Sequence, residues 1–334
     1  MPNPIQHNIE KVLITGGTGF IGSNLAEALI NEGCRVRIFR RENSDLRAVK
    51  GLSVEHFIGD ILDKYSLRQA MDGCDTVFHT AAIVAMWRKK GTEQKDVNIL
   101  GTKNVAEVAL EKGVKKFVHT SSIAALGYQA DGNLSDETTA FNWNTHLTYK
   151  YSKHLAELEI FKAIEKGLPA VIVNPAVVIG PKDYRFHGGA FIKRVRGGMV
   201  PFYIDGGINI VYIDDVMFGH IQAAKVGRIS ERYVLGGTNL TIKEAFKQVA
   251  EVVGVTPPKF KAPTLLVKSV AKFFDSISSV TGKKPLISSD LIASIGINFW
   301  FNSEKAGREL GYKITPFKEA VKKTYWWYKE EGLM

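Results

Sequence analysis

Apolar residues in the first half of the chain fall into short runs that alternate with longer stretches of helical period. β-like runs lie near residues 11–15, 35–40, 54–58, 75–80, 116–121 and 170–174, with helical patterns near 20–32, 65–72, 92–112 and 147–166. Strands joined by helix-length crossovers pair in parallel, so the pattern predicts an α/β fold on a doubly wound parallel sheet. The second half changes character. Glycine and proline punctuate residues 175–208, one more strand covers Tyr233-Val234-Leu235, and helical patterns return near 241–253, 263–280 and 316–331. These features predict a nucleotide-binding domain over residues 8–175, to which 209–236 returns. Residues 176–208 and 237–334 form a smaller, discontinuous C-terminal domain capping the carboxyl edge of the sheet, where ligands bind in such folds.

The first strand-to-helix junction reads Thr15-Gly16-Gly17-Thr18-Gly19-Phe20-Ile21-Gly22. Glycines spaced G-x-x-G-x-x-G at such a junction make a phosphate cradle: without Cβ atoms the turn is tight, and a pyrophosphate can reach the free N–H groups at the helix N-terminus. This is a Rossmann-type dinucleotide site, with Gly16, Thr18, Gly19, Phe20, Ile21 and Gly22 as candidate cofactor contacts. About 20 residues beyond the glycines an NAD site wants an acid for the ribose 2′-hydroxyl. Arg40 and Arg41 stand there instead. Arginines bind a 2′-phosphate through charge-assisted bonds, so the expected cofactor is NADP, with NAD as the alternative.

Tyr149 and Lys153 form Tyr-x-x-x-Lys at the start of a predicted helix. At i and i+4 both side chains leave one helical face, where an ammonium can favour a phenolate and make tyrosine a usable acid or base. Tyr325 and Lys329 repeat the spacing among Trp326, Trp327 and Tyr328, with no glycine-rich partner, and read as helix packing. The strand ending in Ser121-Ser122 adds a hydroxyl at the carboxyl edge of the sheet.

With these elements in order, the chain resembles the extended short-chain dehydrogenase/reductase family, within the NAD-dependent epimerase/dehydratase superfamily. That family's pattern is a TGxxGxxG loop, a Ser or Thr after the fifth strand, and YxxxK. Further matches are Gly59-Asp60-Ile61, His79-Thr80-Ala81-Ala82, Asn98 in Val97-Asn98-Ile99-Leu100-Gly101-Thr102, Asn174-Pro175, and Val211-Tyr212-Ile213-Asp214-Asp215-Val216. The resemblance implies catalytic roles for Ser122, five residues before Gly127, for Tyr149 as the proton carrier, and for Lys153 on the nicotinamide ribose. It also implies that Asp60 and Ile61 meet the adenine, that Thr80, Ala81, Ala82 and Asn98 line the cofactor, and that residues from Pro175 to Val178 face the carboxamide.

Within that family the C-terminal half resembles the dihydroflavonol 4-reductase and 3β-hydroxysteroid dehydrogenase branch, through Pro285-Leu286-Ile287 and the run ending Glu309-Leu310-Gly311-Tyr312. The branch implies a hydrophobic ketone or aldehyde, for which Trp87, Phe191, Phe202 and Phe299 are candidate pocket residues. Dehydratases of the family follow their catalytic threonine with Asp-Glu, whereas Ser122 precedes Ile123-Ala124. Nucleotide-sugar epimerases, the alternative reading, carry an arginine six residues before the first Asp of Asp-Asp-Val and another before the Asn302 segment. Here position 208 is Ile and residues 286–301 contain no arginine. A non-catalytic NADP-binding scaffold is disfavoured by intact Ser122, Tyr149 and Lys153.

Composition narrows the rest. At 334 residues the chain can bury a large core. Its only cysteines, Cys34 and Cys74, read as small hydrophobes, so neither a metal nor a disulfide is expected. The formal charge of +10 comes from scattered lysines and arginines without a basic block, which suits an anionic cofactor and carries no nucleic-acid signature. The polar N-terminus has no signal-peptide core and no apolar run approaches the roughly 18 residues of a spanning helix, so a cytoplasmic protein is expected. Residues 265–274 carry a basic amphipathic pattern that fits a lid helix or, less well, contact with a membrane surface. A homodimer is left open.

Overall fold

Strand β1 (Lys11–Thr15) is apolar on both faces, and Val12, Leu13 and Ile14 are fully buried because helices cover the sheet on both sides. Val12 and Ile14 enter one core cluster with Leu25 and Leu29 of helix α1 (Phe20–Asn31). Leu13 enters the other with Leu67 of α2 (Lys64–Met71) and Val105 and Val108 of α4 (Thr102–Glu111). The remaining strands of this sheet are β2 (Arg35–Arg40), β3 (Glu55–Ile58), β4 (Thr76–His79), β5 (Lys116–Thr120), β6 (Ala170–Pro175) and β10 (Arg232–Leu235). All seven are parallel, in the order β3-β2-β1-β4-β5-β6-β10. The order reverses between β1 and β4, which opens a crevice at their carboxyl ends. The computed structural model describes residues 7–84, 91–263, 265, 267, 269, 270 and 293–334.

The helix expected over 92–112 is interrupted. Between α3 (Gly91–Lys95) and α4, Asp96–Gly101 forms a π-helical turn whose extra residue turns Asn98 toward the loop after β4. There its Oδ1 accepts from the Ile83 N–H at 2.8 Å and its Nδ2 donates to the Ile83 carbonyl at 3.1 Å. Bonds to another segment's backbone hold a turn that periodicity does not announce.

The second half adds a three-stranded sheet of β7 (Val177–Ile179), β9 (Gly207–Tyr212) and β11 (Thr238–Thr241), and a two-stranded ribbon of β8 (Phe202–Tyr203) and β12 (Phe260–Lys261). Within residues 209–236, β10 joins the large sheet and α7 (Ile213–Lys225) packs against α1 and β6, whereas β9 pairs with β7 and β11. Helix α8 (Ile242–Val253) opens on a capping box between Thr241 and Glu244 and closes at Gly254, whose φ of +74° suits glycine. Helices α6 (Ala190–Arg196), α9 (Glu304–Leu310) and α10 (Phe317–Glu330) also belong to this half. Tyr328 of α10 is buried and donates its hydroxyl hydrogen to Asp183 at 3.0 Å, on the carboxylate that also accepts from the Gly188 and Gly189 N–H groups. Most of the helical pattern near 263–280 lies outside the described residues.

Both cysteines are free, Cys74 buried and Cys34 half-buried, and burial pushes both thiols up. Among the described residues no helix is long and apolar enough to cross a membrane.

Candidate active site

The glycine loop leaves β1 and enters α1 at the crevice. Gly16 has φ +70°, and a Cβ there would lie 2.7 Å from the Ala81 Cα. At Gly22 a Cβ would lie 2.4 Å from the Gly16 carbonyl oxygen and 2.8 Å from Thr80 Oγ1. Both contacts exclude any larger residue, so the loop, the start of α1 and the end of β4 close on one another. Gly19 caps α1 without a side-chain bond, and the first turn carries no acid, so its N–H groups face outward uncompensated. These features fit a bound pyrophosphate.

At the end of β2 the two arginines differ. Arg40 is engaged: its Nε donates to His56 Nδ1 at 3.1 Å and its Nη1 to the Arg41 and Glu42 carbonyls. Arg41 is exposed, and its guanidinium has no hydrogen-bond partner among the described residues. Asp60 sits after β3 and accepts from the Leu62 N–H at 2.9 Å; the Ile61 side chain is buried.

The loop after β4 is tied to both sides of the crevice. Thr80 Oγ1 donates to the Thr15 carbonyl at 2.7 Å, and Thr15 Oγ1 lies 2.7 Å from His79 Nδ1. His79 Nε2 lies 2.9 Å from Thr102 Oγ1, whose hydrogen is already donated to the Asn98 carbonyl. His79 therefore carries its hydrogen on Nε2 and is neutral; burial, reinforced by the Lys153 charge, pulls it down to about 3. Asn98 Nδ2 also donates to Ser152 Oγ at 3.0 Å, joining this loop to α5 (Thr148–Glu165).

Tyr149 and Lys153 emerge from the first two turns of α5 toward the end of β5. Lys153 is buried and donates to the Thr120 carbonyl at 2.8 Å; burial pulls its ammonium down to about 8, against the pull of Glu157. The Tyr149 phenol is pushed up by burial and drawn part of the way back by the Ser122 hydroxyl. Ser122 Oγ accepts from the Ala124 N–H at 3.1 Å, which leaves its own hydrogen to donate forward. The structure thus brings Ser122, Tyr149 and Lys153 together at the carboxyl edge of the sheet.

The sequence profile of the NAD dependent epimerase/dehydratase family matches residues 12–236. The chain belongs to this family. Sterol demethylase protein B of Methylococcus capsulatus is 31% identical over 326 residues, covering 96% of this chain and 99% of its own. A 3-beta-hydroxysteroid dehydrogenase of Mycolicibacterium neoaurum is 29% identical over 333 residues, covering 92% and 88%. Among solved structures, gox2253 superposes with a TM-score of 0.85 at 36% identity over 97% of this chain and 99% of that one. The UDP-glucose 4-epimerase of Thermotoga maritima superposes with a TM-score of 0.78 at 22% identity over 96% and 99%, a likeness of fold.

On this epimerase/dehydratase scaffold the aromatic candidates part company. Phe299 makes an edge contact with Trp143 at 5.3 Å between ring centroids, and Trp143 packs on Tyr128 at 4.5 Å. Lys150, next to Tyr149, covers the Trp143 ring and donates to Ser294 Oγ at 3.0 Å. Phe191 stacks with Phe317 at 6.3 Å, and Phe202 lies 52% exposed on the β8 ribbon. Trp87 lies outside the described residues. Pro175 is buried at the end of β6 and Val178 half-buried on β7. At the second Tyr-x-x-x-Lys, the Tyr325 hydroxyl accepts from Arg196 and Lys329 covers the Trp326 ring. Sequence reasoning missed Trp143, Lys150 and Glu157. The last had a legible signal, an acid on the buried face of α5 one turn after Lys153.

Proposed function

We propose that this oxidoreductase uses NADPH to reduce the carbonyl group of a hydrophobic small molecule. The observation that carries the reading is the cluster of Tyr128, Trp143 and Phe299, joined to the Tyr149 helix through Lys150, whose ammonium covers the Trp143 ring; an apolar substrate can shed water against such aromatic surface. The loop bearing it is pinned: Trp143 Nε1 donates to the Leu126 carbonyl at 3.0 Å, and a Cβ at Gly127 would overlap the Ala140 carbonyl. Position 208, where a diphosphate would need an arginine, holds Ile208 in β9, half-buried against the core. A diphosphate there would lose the charge-assisted bonds that hold it.

When bound, the nicotinamide would supply the hydride. Tyr149 is poised as the acid: its raised phenol is protonated at neutral pH and can pass its proton to the developing alkoxide. Ser122, whose hydroxyl hydrogen is directed toward the Tyr149 phenol, can donate it to the same oxygen, and Lys153 keeps its positive charge at the end of β5 at neutral pH. Gly16, Thr18, Gly19, Phe20, Ile21 and Gly22 would hold the pyrophosphate, Asp60 and Ile61 the adenine, and Thr80, Ala81, Ala82 and Asn98 the inner wall. Pro175 and Val178 would face the carboxamide, and Arg41 the 2′-phosphate.

The test is NADPH oxidation against aromatic aldehydes, cyclic ketones and sterol ketones, beside UDP-, GDP- and dTDP-sugars. Stoichiometric loss of nicotinamide absorbance with a hydrophobic carbonyl is expected. Micromolar binding and epimerisation of a nucleotide sugar with unchanged absorbance would replace this reading by the epimerase one.

A further inference from the structure

Glu157 lies on α5 one turn after Lys153 and two turns after Tyr149, and it is 1% exposed. Its Oε1 accepts from Asn174 Nδ2 at 2.6 Å, and its Oε2 from Arg232 Nη1 at 3.3 Å. The same Asn174 nitrogen directs its second hydrogen to the Ser122 carbonyl at 3.0 Å. Two acceptors therefore set the orientation of the Asn174 amide, whose Oδ1 has no partner among the described residues. One buried carboxylate thus joins α5 to β6 and β10 and, through Asn174, to the turn that carries Ser122.

The groups around Lys153 make this charge matter. His79 faces it from β4 and His119 from β5, both held neutral by burial, and Tyr149 shares its helix. Arg232 approaches from β10, on the far side of Glu157. Among these groups only Glu157 is an anion. Lys153 makes its own bond to the Thr120 carbonyl, so the Glu157 charge acts on it across one turn of the same buried helical face and not through a hydrogen bond.

Resting on the reductase reading, we infer that Glu157 is a positioning residue of the site: through Asn174 it fixes the Ser122 turn, and its charge accompanies the Lys153 ammonium at Thr120. Glu157→Gln keeps the shape and the acceptor toward Asn174 but removes the charge; Asn174→Ala removes the link to Ser122 and leaves the charge.

The deciding measurement needs no substrate. In protein carrying lysine labelled with carbon-13 at Cε, the Lys153 resonance is assigned by its loss in Lys153→Arg and titrated by NMR. In Glu157→Gln the Lys153 midpoint is expected to fall by about one pH unit or more, as when a neighbouring opposite charge is lost. In Asn174→Ala it is expected to stay at the wild-type value. With NADPH and 9,10-phenanthrenequinone as reporter, both variants are expected to lose about tenfold to hundredfold in kcat with little change in KM, as for misplaced reacting groups. Only Glu157→Gln is expected to move the alkaline limb of the pH profile downward, in step with its Lys153 midpoint. An unchanged midpoint in a cooperatively melting Glu157→Gln protein would overturn the inference. If that variant does not fold, Arg232→Gln decides: relieved of its counter-charge, Glu157 is expected to raise the midpoint by a few tenths of a unit, and an unchanged or lower value overturns the inference. Failure of wild-type protein to turn over any carbonyl counts against the reductase reading and leaves the Lys153 titration to judge this one.

Discussion

The Lys153 ammonium donates to the Thr120 carbonyl oxygen at 2.8 Å, so the helix that presents Tyr149 is anchored to the last residue of β5. Ser122 follows two residues later, and the distance between phenol and serine is set by this bond together with the strand pairing.

Tyr149→Phe is expected to lower turnover by about two to four orders of magnitude, the range for a positioned acid, with NADPH binding retained. Tyr325→Phe, half-buried beside Arg196, is expected to leave turnover unchanged. Steady-state kinetics on the two variants check this, and equal losses would remove Tyr149 from its assigned role.

NADPH is expected to bind more tightly than NADH, with the difference residing mainly in Arg41. Arg41→Ala is expected to weaken NADPH by about 10- to 100-fold, the worth of a charge-assisted contact, and to leave NADH nearly unchanged. Arg40→Ala is expected to affect both cofactors, because Arg40 braces the turn through the Arg41 and Glu42 carbonyls. Fluorescence titration of the four pairs is the measurement; an NADPH-to-NADH ratio untouched by Arg41→Ala would contradict the assignment.

Gly22→Ala places a methyl 2.4 Å from the Gly16 carbonyl, a backbone atom that cannot swing away. A loss of about 1–3 kcal/mol in stability is expected, the usual cost of overpacking, together with loss of dinucleotide binding. Gly33→Ala is the control for a loop glycine with open space around it, although its φ of +85° carries its own strain. Thermal melts with and without NADPH check both; a Gly22→Ala protein that still gains stability from NADPH would show that the loop does not hold the cofactor.

Stability should fall on mild acidification. His79 and His220 are buried and neutral, pulled down to about 3 and about 4 from an ordinary value of 6.5. Between those values the unfolded chain binds protons that the native state refuses, so their contribution is complete above about pH 6.5 and is lost as the pH falls toward 4. Asp214, Asp215 and Glu137 work in the opposite sense, since burial raises them. Their influence begins nearer the carboxylate range, so melting temperature is expected to decline already between pH 6.5 and 5. A flat profile over that interval would contradict the neutral assignment.

Local order was legible wherever one segment carried its own signal. The glycine loop, the strand before it and the helix after it stand in contiguous residues, and the structure reproduces β1 over Lys11–Thr15 and α1 from Phe20. The break in the helix over 92–112 was not legible, because Asn98 bonds to Ile83, a partner outside the helix. Likewise β9 resembles any apolar run, and its pairing with β7 and β11 is decided by which edge the chain meets on its return.

By itself the sequence determined the parallel α/β architecture, the phosphate cradle and the shared helical face of Tyr149 and Lys153, because each depends on spacing within a few residues. Tertiary structure alone decided which of two adjacent arginines is spoken for, which aromatics form a cluster and how Glu157 reaches Ser122. Arg40 finds His56 across two strands, Trp143 finds Phe299, and Glu157 finds Asn174 and Arg232. Such pairings join separate segments of the chain, and for Trp143 and Glu157 burial adds strength by removing the water that would otherwise compete for their contacts.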